Sequence, residues 1–277
     1  MAKKIAIIGC GTIGGAIIDA IVKGKVPGGE IKGIVDIDSN AINSLSSSVG
    51  SNITFRSFED FFDSPIFNDV DIVVESASQK VVLEFGRRIL ESQKDLMVMS
   101  VGAFAQGSFF LELVDTARSH RSRLILPSGA ITGIDAIRCA RDIIKSVSIT
   151  TTKNPISLAG APFFKNSEIK VEGIKSRRTL YNGNARNVIL EFPSNVNVAV
   201  SLALAGIGLD KTKVKVIADP QITVNQHKII AKGDFGEIRV LVRNNPSTLN
   251  PRTSFLAVLS AIECLRNYCD DTVRLGS

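Results

Sequence analysis

Three glycines near the start of the chain are spaced to hold a phosphate. They fall in the segment Gly9-Cys10-Gly11-Thr12-Ile13-Gly14, which has the pattern GxGxxG. In this pattern the first glycine permits a tight turn, the second lets a pyrophosphate approach the backbone, and the third lets a helix pack closely on a strand. The N–H groups at the start of that helix then bind phosphate oxygens. The six residues therefore predict a dinucleotide site.

An acidic residue stands where such a site contacts the adenosine ribose. Asp36 follows a strand predicted over Ile31–Val35 and lies 22 residues after Gly14. An acid at this spacing accepts hydrogen bonds from the ribose hydroxyls. The next residue is Ile37, not an arginine that would receive a 2′-phosphate, and Asp36 itself repels one. NAD is therefore the predicted cofactor, NADP remains possible, and both residues belong to the predicted site.

The opening stretch, residues 3–22, also has the charge and apolarity of a secretory signal peptide. Its glycines weaken a helix, and it contains no leucine. Ile5–Ile8 is mostly β-branched, as buried parallel strands are, and Ile13, Ile17 and Ile21 recur at helical spacing. We therefore predict a strand and a helix here, and a cytoplasmic protein.

Strands and helices alternate from this point to about residue 127. Further strands are predicted at Ile53–Arg56, Asp71–Glu75, Leu96–Ser100 and Arg123–Leu126, and helices at Ser39–Ser48, after Ser57, at Gln79–Ser92 and at Phe109–Ala117. Such alternation predicts a doubly wound parallel sheet, a Rossmann domain over residues 1–127. Ligands bind at the carboxyl ends of its strands. The residues predicted to contact the cofactor there are Ala77, Ser78, Ser100, Val101, Gly102 and Ala130.

The pattern changes beyond residue 140. Extended segments are predicted at Ser146–Thr152, Asn187–Phe192, Val214–Ile217, His227–Lys232 and Gly236–Val242, with one apolar helix at Val196–Leu204. This mixture predicts a second, α+β catalytic and dimerisation domain over residues 128–252. The final segment, 253–277, is predicted to carry a helix, about Ser254–Asn267, that packs back on the Rossmann domain.

Composition excludes some classes of partner. The net charge is +6, but the basic residues are scattered, and the short run RSHRSR at 118–123 is typical of a solvated helix end. No nucleic acid is therefore predicted as a partner. No apolar run is long enough to span a bilayer, so no membrane association is predicted. The four cysteines show no metal-ligand spacing, which predicts buried thiols in a reducing compartment and no metal.

Seven short motifs appear in order along the chain: ESAS, MSVGA, PSGAITGIDA, TTKNP, FPSNVNVA, ADP and NQH. Together they resemble the L-aspartate dehydrogenase family over nearly the whole chain. The resemblance implies a usually dimeric enzyme that uses NAD or NADP to deaminate L-aspartate through iminosuccinate to oxaloacetate and ammonia, or runs in reverse. It also implies a supply of iminosuccinate for NAD biosynthesis. Ile37 departs from the family, since many members have arginine there.

The histidine of the family's NxH motif corresponds to His227, which the resemblance implies is catalytic. The chain has only two histidines, and His120 lies in the basic end of a predicted helix. Imidazole suits both proton transfers of a deamination. A lone histidine on a strand face is more often structural, so the catalytic role predicted for His227 depends on the resemblance.

Other side chains are candidates with two possible roles each. Lys153 would pair with a substrate carboxylate, or is a solvated strand-end lysine. Asp219 would orient His227 or stabilise an iminium, or forms a turn before Pro220. Asn195 and Asn197 would donate to a carboxylate or cap a helix, and Asn195 is included with the cofactor site.

Two other functions compete with this hypothesis. One is a different Rossmann-type reductase, such as a homoserine dehydrogenase or a dihydrodipicolinate reductase, although the histidine-rich motif of the latter is absent. The other is a non-catalytic NAD-binding sensor, because the fold alone does not determine function.

Overall fold

The computed structural model describes residues 2–193, 197–247, 250, 253–270 and 272–273. Within these residues the chain forms two compact units. The first comprises residues 2–103, 107–127 and 258–273, and the second comprises residues 104–106 and 128–257. The chain therefore enters the second unit and returns to the first.

A parallel sheet forms the centre of the first unit. Its six strands are β1 (Lys3–Ile8), β2 (Gly29–Val35), β3 (Thr54–Phe55), β4 (Ile72–Glu75), β5 (Asp95–Val98) and β6 (Leu124–Ile125). They are hydrogen-bonded in the order β3-β2-β1-β4-β5-β6. β1 and β4 are therefore neighbours at the centre, where the winding reverses, and ligands bind at such a switch point. The predicted doubly wound sheet is confirmed.

Six helices of the first unit connect these strands. They are α1 (Thr12–Val22), α2 (Ser39–Val49), α3 (Phe58–Phe62), α4 (Pro65–Asn68), α5 (Gln79–Glu91) and α6 (Phe109–His120), with 3₁₀ turns at Ser51–Ile53 and Val101–Ala105. Ser57 caps α3, because its hydroxyl accepts a hydrogen bond from the Asp60 N–H at 3.2 Å. The predicted helix start after Ser57 is therefore confirmed.

The second unit contains a mixed sheet. Its strands are β7 (Ile144–Lys153), β8 (Arg178–Asn184), β9 (Lys213–Ala218), β10 (Asn225–Gly233) and β11 (Gly236–Asn244). The order is β11-β10-β7-β9-β8, and only β7 and β9 run parallel among these pairs. The predicted mixed sheet and the predicted antiparallel pair of β10 and β11 are confirmed.

Helices of the second unit are more numerous than the single one predicted. They are α7 (Ile134–Ala140), α8 (Pro155–Leu158), α9 (Pro162–Asn166), α10 (Val188–Glu191) and α11 (Asn197–Ala205), with 3₁₀ turns at Arg141–Ile143 and Val171–Gly173. The extended segment predicted at Asn187–Phe192 is wrong, because Val188–Glu191 form α10 and the residues on either side cap it. Two consecutive residues there, Val188 and Ile189, are buried, as occurs in a helix, whereas a half-buried strand alternates.

Strand β8 has no counterpart among the predicted segments. Its sequence, RTLYNGN, is polar on both faces, and only Leu180 is buried. Because β8 is an edge strand, its hydrogen bonds to β9 stabilise it without an alternating apolar pattern.

The cysteines also differ from expectation, which was that they are buried. Cys10 is buried but Cys139 is exposed.

The last helix, α12 (Phe255–Cys269), brings the chain back to the first unit. Ala261 and Leu265 are fully buried in one cluster with Ile5, Ile7 and other residues of β1 and α1. The four-residue spacing of Ala261 and Leu265 places them on one face of the helix. None of the helices that the structure describes is both long and apolar enough to cross a bilayer.

Removing the buried leucine of α12 tests how much this contact stabilises the protein. We expect Leu265→Ala to lower the free energy of unfolding by about 2–5 kcal/mol, because it leaves a cavity among packed side chains. Leu259→Ala is the matched control, since Leu259 is 45% exposed on the same helix. Urea unfolding of the full chain measures both, and equal losses would contradict the packing described.

Candidate active site

The glycine turn after β1 has two crowded positions and one open position. A Cβ on Gly9, where φ is +92°, would lie 2.7 Å from the Ala77 backbone, and one on Gly14 would lie 1.8 Å from the Gly9 carbonyl oxygen. Both positions therefore require glycine. A Cβ on Gly11 would meet no atom within 4 Å. The open side of Gly11 is where a pyrophosphate approaches the backbone, so the turn fits the predicted cofactor.

The N-terminus of α1 adds hydrogen-bond donors to this turn. Gly11 is the N-cap and has no side chain to satisfy the first N–H groups, and the first turn contains no acidic residue. Thr12 and Ile13 are its first two residues. Their N–H groups and the positive end of the helix dipole are suited to phosphate oxygens.

Asp36 links the glycine turn to the end of β2. One carboxylate oxygen accepts a hydrogen bond from the Cys10 N–H at 2.6 Å, and the other accepts one from the Asp38 N–H at 2.9 Å. Each oxygen retains a second lone pair for a ribose hydroxyl. Burial raises the pKa of the neighbouring Cys10 thiol to about 12, and the Asp36 charge adds to this, so the thiol stays protonated. Ile37 is 75% exposed beside it.

A buried carboxylate that the sequence analysis did not single out connects the ends of β4 and β5. Glu75 is 1% exposed, and its oxygens accept hydrogen bonds from the N–H of Ala77 at 2.9 Å, the N–H of Ser100 at 3.0 Å and the hydroxyl of Ser100 at 2.8 Å. Burial raises the pKa of Glu75, and these donors together with the Ser78 N–H oppose the rise. Its position as the last residue of an apolar strand was the available signal.

The other predicted cofactor residues of the first unit lie around Glu75. The Ser78 hydroxyl caps α5 by accepting from the Val81 N–H at 3.4 Å. The Ser100 hydroxyl is engaged by Glu75, so both hydroxyls have internal partners. Val101 and Gly102 belong to the 3₁₀ turn that follows β5. Direct contacts of these residues with the cofactor stay predictions.

His227 lies on β10, on the buried face that it shares with Asn225, Ile229 and Ala231. Its Nδ1 is 3.0 Å from the hydroxyl oxygen of Thr151, its partner on β7. The imidazole is 3% exposed. Burial, with the nearby charge of Lys153, lowers the pKa of His227 to about 3, so the ring is neutral at physiological pH.

Lys153 is the last residue of β7 and is buried, not solvated. It is 6% exposed, and this burial lowers its pKa to about 8. Its charge acts on His227, which places the two side chains in one electrostatic environment. A buried ammonium group with a lowered pKa is a frequent feature of functional sites.

Asp219 is held by its own turn. Its carboxylate accepts a hydrogen bond from the Gln221 N–H at 3.0 Å, and its N–H donates to the Lys153 carbonyl at 2.9 Å. Thr151, and not Asp219, is the residue at Nδ1 of His227. The predicted action of Asp219 on an iminium stays a prediction, and Asn195 lies outside the described residues.

The turn that contains Ala130 is attached to the second sheet. The amide of Asn244, at the end of β11, donates to the Ala130 carbonyl at 2.7 Å, and both residues are buried. Nothing in the sequence pattern indicated Asn244. No group of three potential metal ligands occurs among the residues that the structure describes.

Comparisons with known proteins agree with both units. A family model described as "Homoserine dehydrogenase, NAD binding domain" matches residues 9–127, and one described as "Aspartate dehydrogenase, C-terminal" matches residues 135–268. A solved structure of aspartate dehydrogenase from Thermotoga maritima is similar over 100% of both chains, with a TM-score of 0.76 and 26% identity. The myo-inositol 2-dehydrogenase of Lactobacillus plantarum shares the fold, with a TM-score of 0.57, 13% identity and coverage of 96% of this chain and 89% of its own. Fold and cofactor site together define an NAD(P)-dependent dehydrogenase.

Curated relatives narrow this class to one family. The L-aspartate dehydrogenase of Nitrosopumilus maritimus (strain SCM1) is 40% identical over 99% of this chain and 100% of its own. That of Methanosarcina barkeri is 42% identical over 99% of both chains. The chain belongs to the L-aspartate dehydrogenase family, which confirms the resemblance seen in its motifs. The homoserine dehydrogenase name attaches only to the cofactor-binding part.

The role of Glu75 can be tested with an isosteric change. Glu75→Gln replaces one accepting oxygen with an NH₂ group that faces N–H and O–H donors, so we expect NADH to bind about tenfold more weakly. We also expect the free energy of unfolding to fall by about 2 kcal/mol, the scale of one hydrogen bond to a charged group. Glu84→Gln makes the same change at an exposed position of α5 and serves as the control. NADH fluorescence titration and urea unfolding measure the effects, and unchanged affinity would contradict this role.

Proposed function

We propose that this protein is an L-aspartate dehydrogenase, which oxidatively deaminates L-aspartate through iminosuccinate to oxaloacetate and ammonia or catalyses the reverse amination. The observation that carries the proposal is the pairing of buried His227 with buried Lys153 at one end of the second sheet. This pair offers a proton acceptor and a cation, which deamination of an anionic amino acid requires. Relatives that bear this name along their whole length support it.

The first unit would hold NAD, with NADP as the second choice. The open side of Gly11 and the N-terminus of α1 would bind the pyrophosphate, and Asp36 would bind the ribose hydroxyls. When bound, NAD supplies the hydride acceptor for oxidation at the substrate Cα. Asp36 and Ile37 favour NAD, because neither residue provides a cation for a 2′-phosphate.

His227 would move protons through Nε2. Thr151 engages Nδ1 at 3.0 Å, and when Nδ1–H donates to the hydroxyl oxygen, Nε2 is left with its lone pair. Nε2 would then accept a proton from the substrate ammonium group and release it to solvent. During imine hydrolysis it would accept a proton from the water that attacks the imine carbon and return it to the departing ammonia. The low pKa of His227 keeps it neutral and ready to accept, and negative charge brought in by the substrate would raise that pKa toward neutrality.

Lys153 would bind a substrate carboxylate as an ion pair. Its ammonium group is buried and its charge acts on the His227 imidazole, so a bound anion would offset the desolvation that now lowers the pKa of Lys153. Asp219 lies one hydrogen bond from Lys153 through its backbone, and we propose it as the group nearest a positively charged iminium.

Assembly and location belong to the same proposal. Leu241 is 56% exposed on the face of the second sheet opposite His227, where Lys228, Arg239 and Arg243 are also exposed. We propose that two copies pair as a homodimer through the second unit, and light scattering showing a monomer would contradict it.

We also propose that the enzyme is cytoplasmic, which cell fractionation would test. We further propose that its iminosuccinate supplies NAD biosynthesis, and a deletion strain that requires nicotinamide for growth would support this.

The activity and its base are tested together by following NADH absorbance. L-Aspartate with NAD, and oxaloacetate with ammonia and NADH, should both give turnover, while homoserine and aspartate semialdehyde should give little. We expect His227→Ala to lower kcat at least 100-fold without changing NADH affinity, because a general base contributes about that factor or more. His120→Ala is the matched control and should retain activity. Absence of turnover with bound cofactor would overturn the function, and activity surviving in His227→Ala would overturn the base alone.

The charge on Lys153 predicts a pH dependence for carboxylate binding. Its pKa is lowered to about 8, so the ammonium group is lost as the pH rises through that value. Succinate, a dicarboxylate without an amine, should inhibit equally well from pH 6 to 7.5, and its Ki should rise about tenfold per pH unit above pH 8. Lys153→Arg keeps its charge at all these pH values, so its Ki for succinate should not change with pH. Lys153→Met lacks the charge, so its Ki should be high and likewise independent of pH. A wild-type profile flat to pH 10 would remove Lys153 from the carboxylate site.

A further inference from the structure

A third polar side chain lies on the same face of the sheet as His227 and Lys153. Asn225 begins β10, two residues before His227, and both side chains belong to the buried set of that strand. Residues two apart on a strand point to the same face. Asn225 is 6% exposed, so most of the residue is shielded from bulk water.

The strand register places Asn225 beside Lys153. Gln226 pairs with Thr152 and His227 with Thr151 across β10 and β7, and the ladder ends at Gln226. Continuing the same register by one position sets Asn225 opposite Lys153. Side chains opposite each other in antiparallel strands have Cβ atoms about 5 Å apart. The amide, the ammonium group and the imidazole therefore occupy three adjacent positions on one surface.

The amide of Asn225 makes no hydrogen bond with any residue in the part of the chain that the structure describes. This sets it apart from its neighbours, because Thr151 contacts His227 and Asn244 donates to Ala130. The amide atoms of Asn225 are not among the fully enclosed polar side-chain atoms that lack a partner, so they can still be reached by a ligand or by water. A polar group in such a place is generally explained by a ligand, water or function. An amide has two N–H donors, which a carboxylate accepts.

We propose that Asn225 is a substrate-binding residue, whose Nδ2–H donates to a carboxylate oxygen of the substrate while Lys153 neutralises its charge. This rests on the proposed function, which supplies the dicarboxylate substrate. The amide specifies the position of the carboxylate and the ammonium group supplies attraction, since a point charge alone gives little directional control. Asn225 then determines how the substrate lies against Nε2 of His227.

Asn225→Asp tests this proposal, because it keeps the shape and replaces the donor with an acceptor. We expect KM for L-aspartate and Ki for succinate to rise together by 10- to 100-fold, with kcat changed less than threefold. NADH affinity should remain that of the wild type. Gln226→Ala is the matched control on the opposite face of β10 and should leave all four constants unchanged. Asn225→Ser, which removes the amide but keeps a small polar side chain, serves if circular dichroism shows that Asn225→Asp does not fold.

The outcomes separate this inference from the proposed function. Absence of L-aspartate turnover in the wild type would overturn the function and with it the inference. Wild-type turnover with KM and Ki in the folded variants within threefold of normal would overturn the role of Asn225 only. A fall in kcat with unchanged Ki would also overturn it, because that result describes a residue acting on the catalytic groups rather than on the bound carboxylate.

Discussion

The arrangement of the predicted cofactor site in the first unit depends on the hydrogen bonds that the Glu75 carboxylate accepts. It lies at the end of β4, next to β1 at the switch point of the sheet, and accepts hydrogen bonds from residues after β4 and after β5. Burying a carboxylate is unfavourable unless donors compensate for the lost water. Because Ala77 and Ser100 provide those donors, the two strand-end segments keep one arrangement, and Ala77 in turn packs against Gly9.

The second unit uses desolvation differently. Burial raises the pKa of Glu75, whereas it lowers the pKa values of His227 and Lys153 to about 3 and about 8. Both shifts express the cost of holding positive charge away from water. In the proposed site, a bound dicarboxylate would reduce that cost at both groups, which makes the site electrostatically complementary to the proposed substrate.

Much of the fold could be predicted from the sequence, because local patterns and packing agree in the first unit. The GxGxxG turn, the strand before it and Asp36 each have a local cause. A Cβ added at Gly9 or Gly14 would lie 2.7 or 1.8 Å from backbone atoms, so both positions require glycine. The edge strand β8 could not be predicted, since its hydrogen bonds to β9 leave no alternation in its sequence. Residues 188–191 were mistaken for a strand because β-branched Val188 and Ile189, followed by aromatic Phe192, favour strands.

The sequence could indicate which residue types form the candidate site. It could not indicate which other residues contact them. His227 and Lys153 could be chosen from a motif and from the scarcity of histidines, but their burial depends on the register of β7 and β10. The contacts of Thr151 with His227 and of Asn244 with Ala130 join residues 76 and 114 positions apart. No pattern within a short window carries such information.

The return of α12 to the first unit has a consequence for how the protein is made. Ala261 and Leu265 belong to the same apolar cluster as residues of β1 and α1, which are synthesised before the second unit. While the second unit is being synthesised, the apolar cluster around β1 and α1 therefore lacks the side chains of α12. A chain that ended before α12 would leave that apolar surface exposed and prone to aggregate. The core of the first unit can therefore close only after α12 has been synthesised.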